Sequence, residues 1–153
     1  MKPLALFIGV SLALLIVQQS SLANTNPVRG IRNNNPGNIR DSSHNNWVGQ
    51  VGQEAGFVIF DQPFNGIRAI GRLYDSYLNA GFLTIQQFIN RYAPSFDQNN
   101  VPAYVRHVER DTQINRNQTL TSNNKFQMVK AIIHHEIGSE PYPDAMIQSA
   151  LRS

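Results

Sequence analysis

The spacing of apolar residues changes along the chain, from a polar stretch, through a weakly alternating one, to a long series of helical repeats. Residues 24–46 contain few apolar side chains and many turn-forming residues, so they predict a polar loop. Residues 47–51 and 56–60 alternate weakly between apolar and polar positions on either side of residues 52–55. This pattern predicts a short β-hairpin with its turn at residues 52–55.

Beyond the hairpin, apolar residues recur every three to four positions, which is typical of amphipathic helices. Helix start and stop signals accompany the pattern: Thr84 and Gln87 form a capping box, Pro94 ends one helix and Gly138 ends another. We therefore expect a mainly α (α+β) single domain with about five helices and one short hairpin. The predicted helices cover residues 63–80, residues 84–93, a segment that opens at Asn100 and Pro102, residues 123–137, and a segment that starts near Asp144.

The composition restricts the classes of function that this domain can have. Charged residues make up 15% of the 153-residue chain, well below the ~25% of a typical globular domain. The net charge is +3 and no run of Lys or Arg occurs, so we expect no nucleic-acid partner. The absence of cysteine excludes disulfides, thiolate zinc sites, iron–sulfur clusters and cysteine nucleophiles.

The first residues of the chain have the order of a secretory signal peptide. Lys2 precedes an apolar run over residues 4–17, and Ser21-Leu22-Ala23 matches a cleavage site. The run is shorter than the ~20 residues that a helix needs to cross a bilayer. We expect cleavage after Ala23, which leaves residues 24–153 in the periplasm or outside the cell with no further membrane contact. The alternative is an N-terminal anchor that is permanent or released later.

A carboxylate extends the apolar face of the fourth predicted helix. This face carries Ile133, and the helical repeat then places Glu136 on it, just before the stop at Gly138. Partial burial and the negative end of the helix dipole both predict a raised pKa for Glu136. A carboxylic acid that stays protonated near neutral pH can act as the general acid in glycosidic bond cleavage. The competing interpretation is a solvated carboxylate at a frayed helix end, or one paired with Arg29, Arg32 or Arg40.

The adjacent His134 and His135 do not match a zinc motif. A zincin helix needs His-Glu-x-x-His, and no second histidine follows Glu136 at that spacing. Side chains of adjacent helical residues point about 100° apart, so the two histidines cannot easily bind one ion. The spacing of His44 and His107 gives no further support for a metal site. We therefore expect no metal and no other cofactor. We expect His135 to orient Glu136 and to contact the substrate; the alternative is an exposed residue without such a role.

Residues 30–40 read Gly-Ile-Arg-Asn-Asn-Asn-Pro-Gly-Asn-Ile-Arg, a specific string that resembles a family of small lysozyme-like murein hydrolases. This family is common in bacterial viruses and prophages. Shorter supporting matches continue the resemblance to about Leu151: Trp47-x-Gly49, Phe57-x-x-Phe60, Gly66-Ile67-Arg68-Ala69, Arg91-Tyr92-Ala93-Pro94, and Ala131-Ile132-Ile133-x-His135-Glu136-x-Gly138 with Pro141-Tyr142.

The resemblance implies a lysozyme-like fold, as in lytic transglycosylases, and activity on the glycan strands of peptidoglycan. The segment from Ala131 to Glu136 also resembles the helix end that carries the catalytic acid in transglycosylases, which implies that role for Glu136. One departure is the order along the chain, because the catalytic acid of that fold ends an early helix whereas Glu136 comes late. Either the fold is circularly rearranged or Glu136 is not the acid. Glu54, in the predicted hairpin turn, is therefore a second candidate. Asp61 is a third, although it more simply caps the helix that follows.

These observations lead to one expected function and three alternatives. We expect an exported peptidoglycan hydrolase that uses Glu136 as a single acid/base for lytic transglycosylation of the glycan strand. The alternatives are a peptidoglycan endopeptidase on the same fold, a hydrolysing lysozyme that uses Glu54 or Asp61, and a non-catalytic wall-binding or structural component of a virion or secretion apparatus. The residues expected to contact the substrate are Asn35, Asn38, Arg40, His135 and Tyr142. The competing interpretation is that the two asparagines are turn formers that hold the loop and that Tyr142 packs in the core.

Overall fold

The computed structural model describes residues 27–153, and helices predominate in this part of the chain. The predicted signal peptide over residues 1–23 lies outside the described residues. The prediction of a mainly helical domain with one short hairpin is confirmed, and within residues 27–153 no helix is both long enough and apolar enough to cross a membrane. The elements in chain order are α1 (Arg29–Arg32), β1 (Gln50–Glu54), β2 (Phe57–Phe60), α2 (Pro63–Asn79), α3 (Ile85–Tyr92), α4 (Val101–Thr112), α5 (Lys125–Ile137) and α6 (Asp144–Arg152), with 3₁₀ turns at Ser95–Asp97 and Ser122–Asn124.

The hairpin differs from the predicted one in the position of its turn. Its strands pair antiparallel with Glu54 opposite Phe57, so the two-residue turn is Ala55-Gly56. Both turn residues have a positive φ, 50° and 80°, as a type I′ hairpin turn requires. The predicted turn over residues 52–55 is therefore wrong, because Gly56 supplies the left-handed backbone. Glu54 belongs to the end of a strand, and β1 starts later along the chain than expected.

The helix ends follow the start and stop signals of the sequence. At the start of α3, the Thr84 hydroxyl oxygen accepts a hydrogen bond from the Gln87 backbone N–H at 3.2 Å. At the start of α4, the Asn100 side-chain oxygen accepts one from the Ala103 N–H at 3.1 Å. Gly138 ends α5 in the left-handed conformation, with φ 78°. These caps fix where the helices begin and end, and therefore where the side chains of their last turns point.

Helix α5 is central to the domain, since it contacts α1, α2, α4 and α6. Val129 and Ile132 are fully buried and Ile133 is 2% exposed, as the predicted apolar face of this helix requires. Burial of side chains of this size stabilises a fold by roughly 1.5–3 kcal/mol each. The packing of α5 on four other elements therefore holds its last turn, and Glu136 with it, in a defined place.

The asparagine-rich loop is held against the hairpin by its own side chains. The Asn34 amide donates to the backbone carbonyl of Phe60 at 3.1 Å. Asn35 is 1% exposed, and its amide donates to the carbonyls of Ile39 and Val58, both at 2.9 Å. The Asn35 side-chain oxygen also accepts a hydrogen bond from the Ile39 N–H at 2.8 Å. These side-chain hydrogen bonds tie the loop to the backbone of the hairpin, which explains why the loop carries a run of asparagines.

Candidate functional site

A cleft of about 800 Å³ lies beside the C-terminal end of α5. The N-terminal loop and the hairpin form one side of it, with Arg29, Asn38 and Phe57 among the lining residues. Helix α2 and the segment over residues 91–99, at the end of α3 and beyond it, also line the cleft. Glu136, which is in the last turn of α5, also lines the cleft. The cleft thus joins parts of the chain that are far apart in the sequence.

The Glu136 carboxyl group is held by one hydrogen bond on each of its oxygens. The Asn38 amide donates to Oε2 at 2.8 Å, and the Tyr104 hydroxyl donates to Oε1 at 2.9 Å. Asn38 adopts a left-handed backbone with φ 46°, and its own side-chain oxygen accepts a hydrogen bond from Arg29 Nε at 3.2 Å. The loop, α4 and α5 therefore meet at this one carboxyl group.

Burial controls the electrostatics of this group. Burial raises the pKa of the Glu136 carboxyl, and the hydrogen bonds from Asn38 and Tyr104, with the charge of Arg29, oppose this shift without cancelling it. Burial, together with the charge of Glu136, also raises the pKa values of the Tyr92 and Tyr104 hydroxyls. Both tyrosines thus stay protonated as donors. Glu136 can be neutral more readily than a surface glutamate, and two donors stabilise its ionised form.

Arginine and aromatic side chains line the cleft around Glu136. The Cζ atoms of Arg29 and Arg40 lie 3.4 and 4.7 Å from the centroid of the Phe57 ring. Arg40 also pairs with Asp97, with Nε 3.0 Å from Oδ2. Arg91 adds a third guanidinium group to the lining. The cleft therefore presents more positive than negative charge, which favours polar or anionic ligands.

Three of the predicted site residues, Glu136, Asn38 and Arg40, line the cleft. Asn35 does not line the cleft, because its buried side chain donates hydrogen bonds to backbone carbonyls of the loop and the hairpin. Tyr142 lies in the link between α5 and α6, packs partly buried against the core, and is not part of the cleft lining. The structure therefore does not bring Asn35 and Tyr142 to the place where a cleft ligand would bind.

His135 is next to Glu136 in the sequence but faces α4. Its ring stacks on the Tyr104 ring, with centroids 3.6 Å apart and planes 16° apart. Its Nδ1 atom lies 3.0 Å from Nδ1 of His107. Burial, and then the charge of His107, lowers the pKa of His135 to about 4. His135 is thus a neutral ring that positions Tyr104, and it is not part of the cleft lining.

The other two candidate acids, Glu54 and Asp61, make contacts within the fold and do not line the cleft. Glu54 pairs with Arg32 at 2.9 Å and accepts a hydrogen bond from the Asn33 amide at 2.9 Å. The hydrogen bond from Asn33 and then that from Arg32 lower the pKa of Glu54, which lies outside the cleft lining. Asp61 accepts a hydrogen bond from the Asn65 side chain at 2.8 Å. The prediction that Asp61 caps α2 is wrong. The N-cap of α2 is Gln62, and the Gln62 side chain makes no capping hydrogen bond.

Sequence reasoning missed Tyr104 as part of the site, and it considered Arg29 only as a direct ion-pair partner of Glu136. Tyr104 is on the predicted buried face of its helix, and a buried tyrosine needs a partner for its hydroxyl group. That requirement is a usable signal, but the partner depends on how α4 packs against α5. Arg29 and Tyr92 act through the loop: Arg29 holds Asn38, and the Tyr92 hydroxyl donates to the Gly37 carbonyl at 2.7 Å.

A separate group of potential metal ligands lies next to His135. His107 and Asp111 on α4 and His134 on α5 place three ligand atoms within 4.8 Å of one another. The group includes His134 and not its neighbour His135, as expected for adjacent residues on a helix. None of the three side chains lines the cleft.

The fold and site define a small, mainly helical protein with one hairpin and a partly buried carboxyl group in an arginine-lined cleft. No family model matches the chain. Protein P5 of Pseudoalteromonas phage PM2 is 33% identical to it over 147 residues, and the match covers 93% of this chain and 91% of the phage protein. The chain therefore belongs to the same family as this phage protein.

Proposed function

We propose that this protein is an exported enzyme that cleaves the glycan strand of bacterial peptidoglycan, with Glu136 as its acid and base. The observation that carries the proposal is the Glu136 carboxyl group, which lines an open cleft while Asn38 and Tyr104 hold its two oxygens. A fixed, partly buried carboxyl group is what acid-catalysed cleavage of a glycosidic bond needs.

The chemistry proceeds in two proton transfers by the same side chain. Neutral Glu136 donates its proton to the glycosidic oxygen as the bond to C1 of the muramyl residue breaks. The resulting carboxylate takes the proton of the C6 hydroxyl group, whose oxygen attacks C1 and closes a 1,6-anhydro ring. Asn38 and Tyr104 donate to the carboxylate that forms between these two steps. Their hydrogen bonds therefore stabilise the enzyme where negative charge develops.

The cleft lining contains a second carboxylate, and the pairing of this carboxylate with an arginine favours transglycosylation over hydrolysis. Hydrolysing glycosidases use a pair of carboxyl groups, separated by about 5–5.5 Å in retaining enzymes or 6.5–9.5 Å in inverting ones. Asp97 is the other acidic residue among the described lining residues, and Arg40 pairs with it. A nucleophile within the substrate removes the need for a second free carboxylate, so one acid/base is sufficient.

Membership of a family that includes a phage protein supports a phage or prophage origin for this chain. Export fits this proposal, because residues 1–23 have the pattern of a signal peptide and peptidoglycan lies outside the cytoplasmic membrane. The proposed compartment of the enzyme is therefore the periplasm or the cell exterior.

Mass spectrometry of purified sacculi after digestion tests the proposed reaction. We expect fragments that end in 1,6-anhydro-muramyl groups. Reducing ends would instead indicate a hydrolysing lysozyme, and new free peptide termini would indicate an endopeptidase. If a folded protein releases no fragments from sacculi but sediments with them, it is a wall-binding component and the enzymatic proposal is wrong.

A further inference from the structure

Two imidazole nitrogens and a carboxylate oxygen converge between α4 and α5, outside the cleft. We call His107, Asp111 and His134 the histidine cluster. His107 and Asp111 are four residues apart on α4, so they share one face of that helix. His107 Nε2 and His134 Nδ1 lie 2.8 and 2.6 Å from the same oxygen, Asp111 Oδ2. The three side chains are mostly buried, with 20%, 17% and 31% exposure for His107, Asp111 and His134.

The spacing of these atoms is close to that of a tetrahedral metal site. Zinc bonds of about 2.0–2.1 Å place the ligand atoms of a tetrahedron about 3.3 Å apart. His107 Nε2 and His134 Nδ1 are 3.3 Å apart. Asp111 Oδ2 is closer to the nitrogens than such a site requires, by roughly 0.5 Å for His107 Nε2 and roughly 0.7 Å for His134 Nδ1. Binding of an ion therefore requires Asp111 Oδ2 to move away from both nitrogens.

We propose that His107, Asp111 and His134 bind one divalent transition-metal ion, with zinc as the best fit, and that the ion fastens α4 to α5. Imidazole ligands suit zinc and its neighbours, whereas magnesium and calcium prefer sites made of oxygen atoms alone. Three protein ligands leave the fourth tetrahedral position to a water molecule. Solvent can reach this position, because the His134 side chain is partly exposed.

The surrounding contacts orient the three ligands. His135 Nδ1 lies 3.0 Å from His107 Nδ1, so the second nitrogen of the His107 ring has a partner and Nε2 points at Asp111. Arg110 donates to the other oxygen of Asp111, with Nε 3.0 Å from Oδ1, which leaves Oδ2 for the ion. Such outer contacts fix the ring orientation and the free oxygen of metal ligands. The positive charge of Arg110 lowers the affinity for a cation, and the removal of that charge raises it.

The proposal does not rest on the proposed enzymatic function. The two sites are connected through His135, which contacts His107 and stacks on Tyr104. An ion in the histidine cluster therefore stabilises the helix pair that carries Tyr104 and Glu136. Its binding can be measured whether or not the protein cleaves peptidoglycan.

Zinc binding to a protein without a histidine tag is the direct test. The protein is treated with a chelator, dialysed, and titrated with zinc chloride by calorimetry, and its Tm is measured with and without excess zinc. We expect one zinc ion per chain and a Tm that rises by several degrees, because the ion binds the folded state alone. Cobalt(II) in the same protein should give the visible absorption spectrum of a tetrahedral site.

The variants Asp111→Asn and His134→Gln locate the site. Each should weaken zinc binding by about 100-fold or more, since His134→Gln removes an imidazole ligand and Asp111→Asn replaces an anionic oxygen with a neutral amide. Circular dichroism checks that each variant is folded. His44→Gln is the matched control, because His44 is exposed in the loop before β1, away from the cluster, and should bind zinc as the wild type does. Absence of zinc binding in the wild type, or equal binding in the wild type and in either folded variant, would overturn the proposal.

Discussion

Glu136 differs from the other carboxylates of the described chain in what its oxygens contact. Glu54, Glu109 and Asp97 pair with arginines at the surface, whereas both oxygens of Glu136 accept hydrogen bonds from neutral donors. An arginine partner keeps a carboxylate ionised, so such a group is a poor proton donor. Neutral donors leave both protonation states accessible, which is the property that an acid and base in one residue requires.

Removal of the Tyr104 hydroxyl group should slow the reaction and leave the fold intact. Tyr104→Phe keeps the ring that packs against His135 but removes the donor to Glu136 Oε1. A hydrogen bond to a charged group contributes about 1.5–3 kcal/mol. We therefore expect a rate of sacculus digestion that is lower by about 10- to 100-fold. Tyr77→Phe is the control, because Tyr77 lines the same cleft and is not bonded to Glu136; equal rates for the two variants would contradict this role.

Glu54 should matter for stability and not for the reaction. Its pKa is lowered by contacts with Asn33 and Arg32 that form in the folded protein, so the ionised form stabilises the fold. This contribution is complete above the pKa of the unfolded chain and is lost as the pH falls through the lower, folded pKa. The Tm of Glu54→Gln should lie below that of the wild type at pH 7, and the gap should close below about pH 4. A loss of activity as large as that of Glu136→Gln would instead support Glu54 as the acid.

At the scale of elements, the loop that carries Asn38 depends on Asn35. Asn35→Ala removes the side-chain partner of the Val58 carbonyl and of the Ile39 N–H in a buried place, whereas the Ile39 carbonyl keeps its hydrogen bond from the Val58 N–H. Each unsatisfied group costs about 1–3 kcal/mol, partly relieved by water. We expect a free energy of unfolding that is lower by about 2–4 kcal/mol in urea titrations. Asn90→Ala, at an exposed site on α3, is the control and should change it by less than about 0.5 kcal/mol.

The elements that the sequence predicts well are those with local signals. Thr84, Asn100 and Gly138 act within one helical turn, so their capping roles can be read without knowledge of the fold. The sequence pattern predicts the wrong position for the hairpin turn, because Gly52 and Gly56 are both plausible turn residues in a weakly alternating segment. Only the pairing of β1 with β2 decides between them, and that pairing depends on contacts outside the turn.

At the scale of the whole molecule, the site is made by packing that sequence spacing does not reveal. The apolar face of α5 identifies Glu136, because that face follows a regular repeat. The partners of Glu136 come from a loop 98 residues earlier and from a helix 32 residues earlier, so no short motif contains them. The histidine cluster cannot be predicted from the sequence for the same reason, because two of its ligands lie on α4 and the third lies on α5.

Comparison of wild-type protein with Glu136→Gln on purified sacculi tests the role of Glu136 most directly. The substitution keeps the size of the side chain and removes its acid and base function, and circular dichroism with a Tm measurement shows whether the variant is folded. We expect 1,6-anhydro-muramyl products from the wild type and a rate at least ~10²–10⁴-fold lower for the variant, since that is the usual contribution of general acid–base catalysis. If folded Glu136→Gln releases the same products at the wild-type rate, Glu136 is not the catalytic residue.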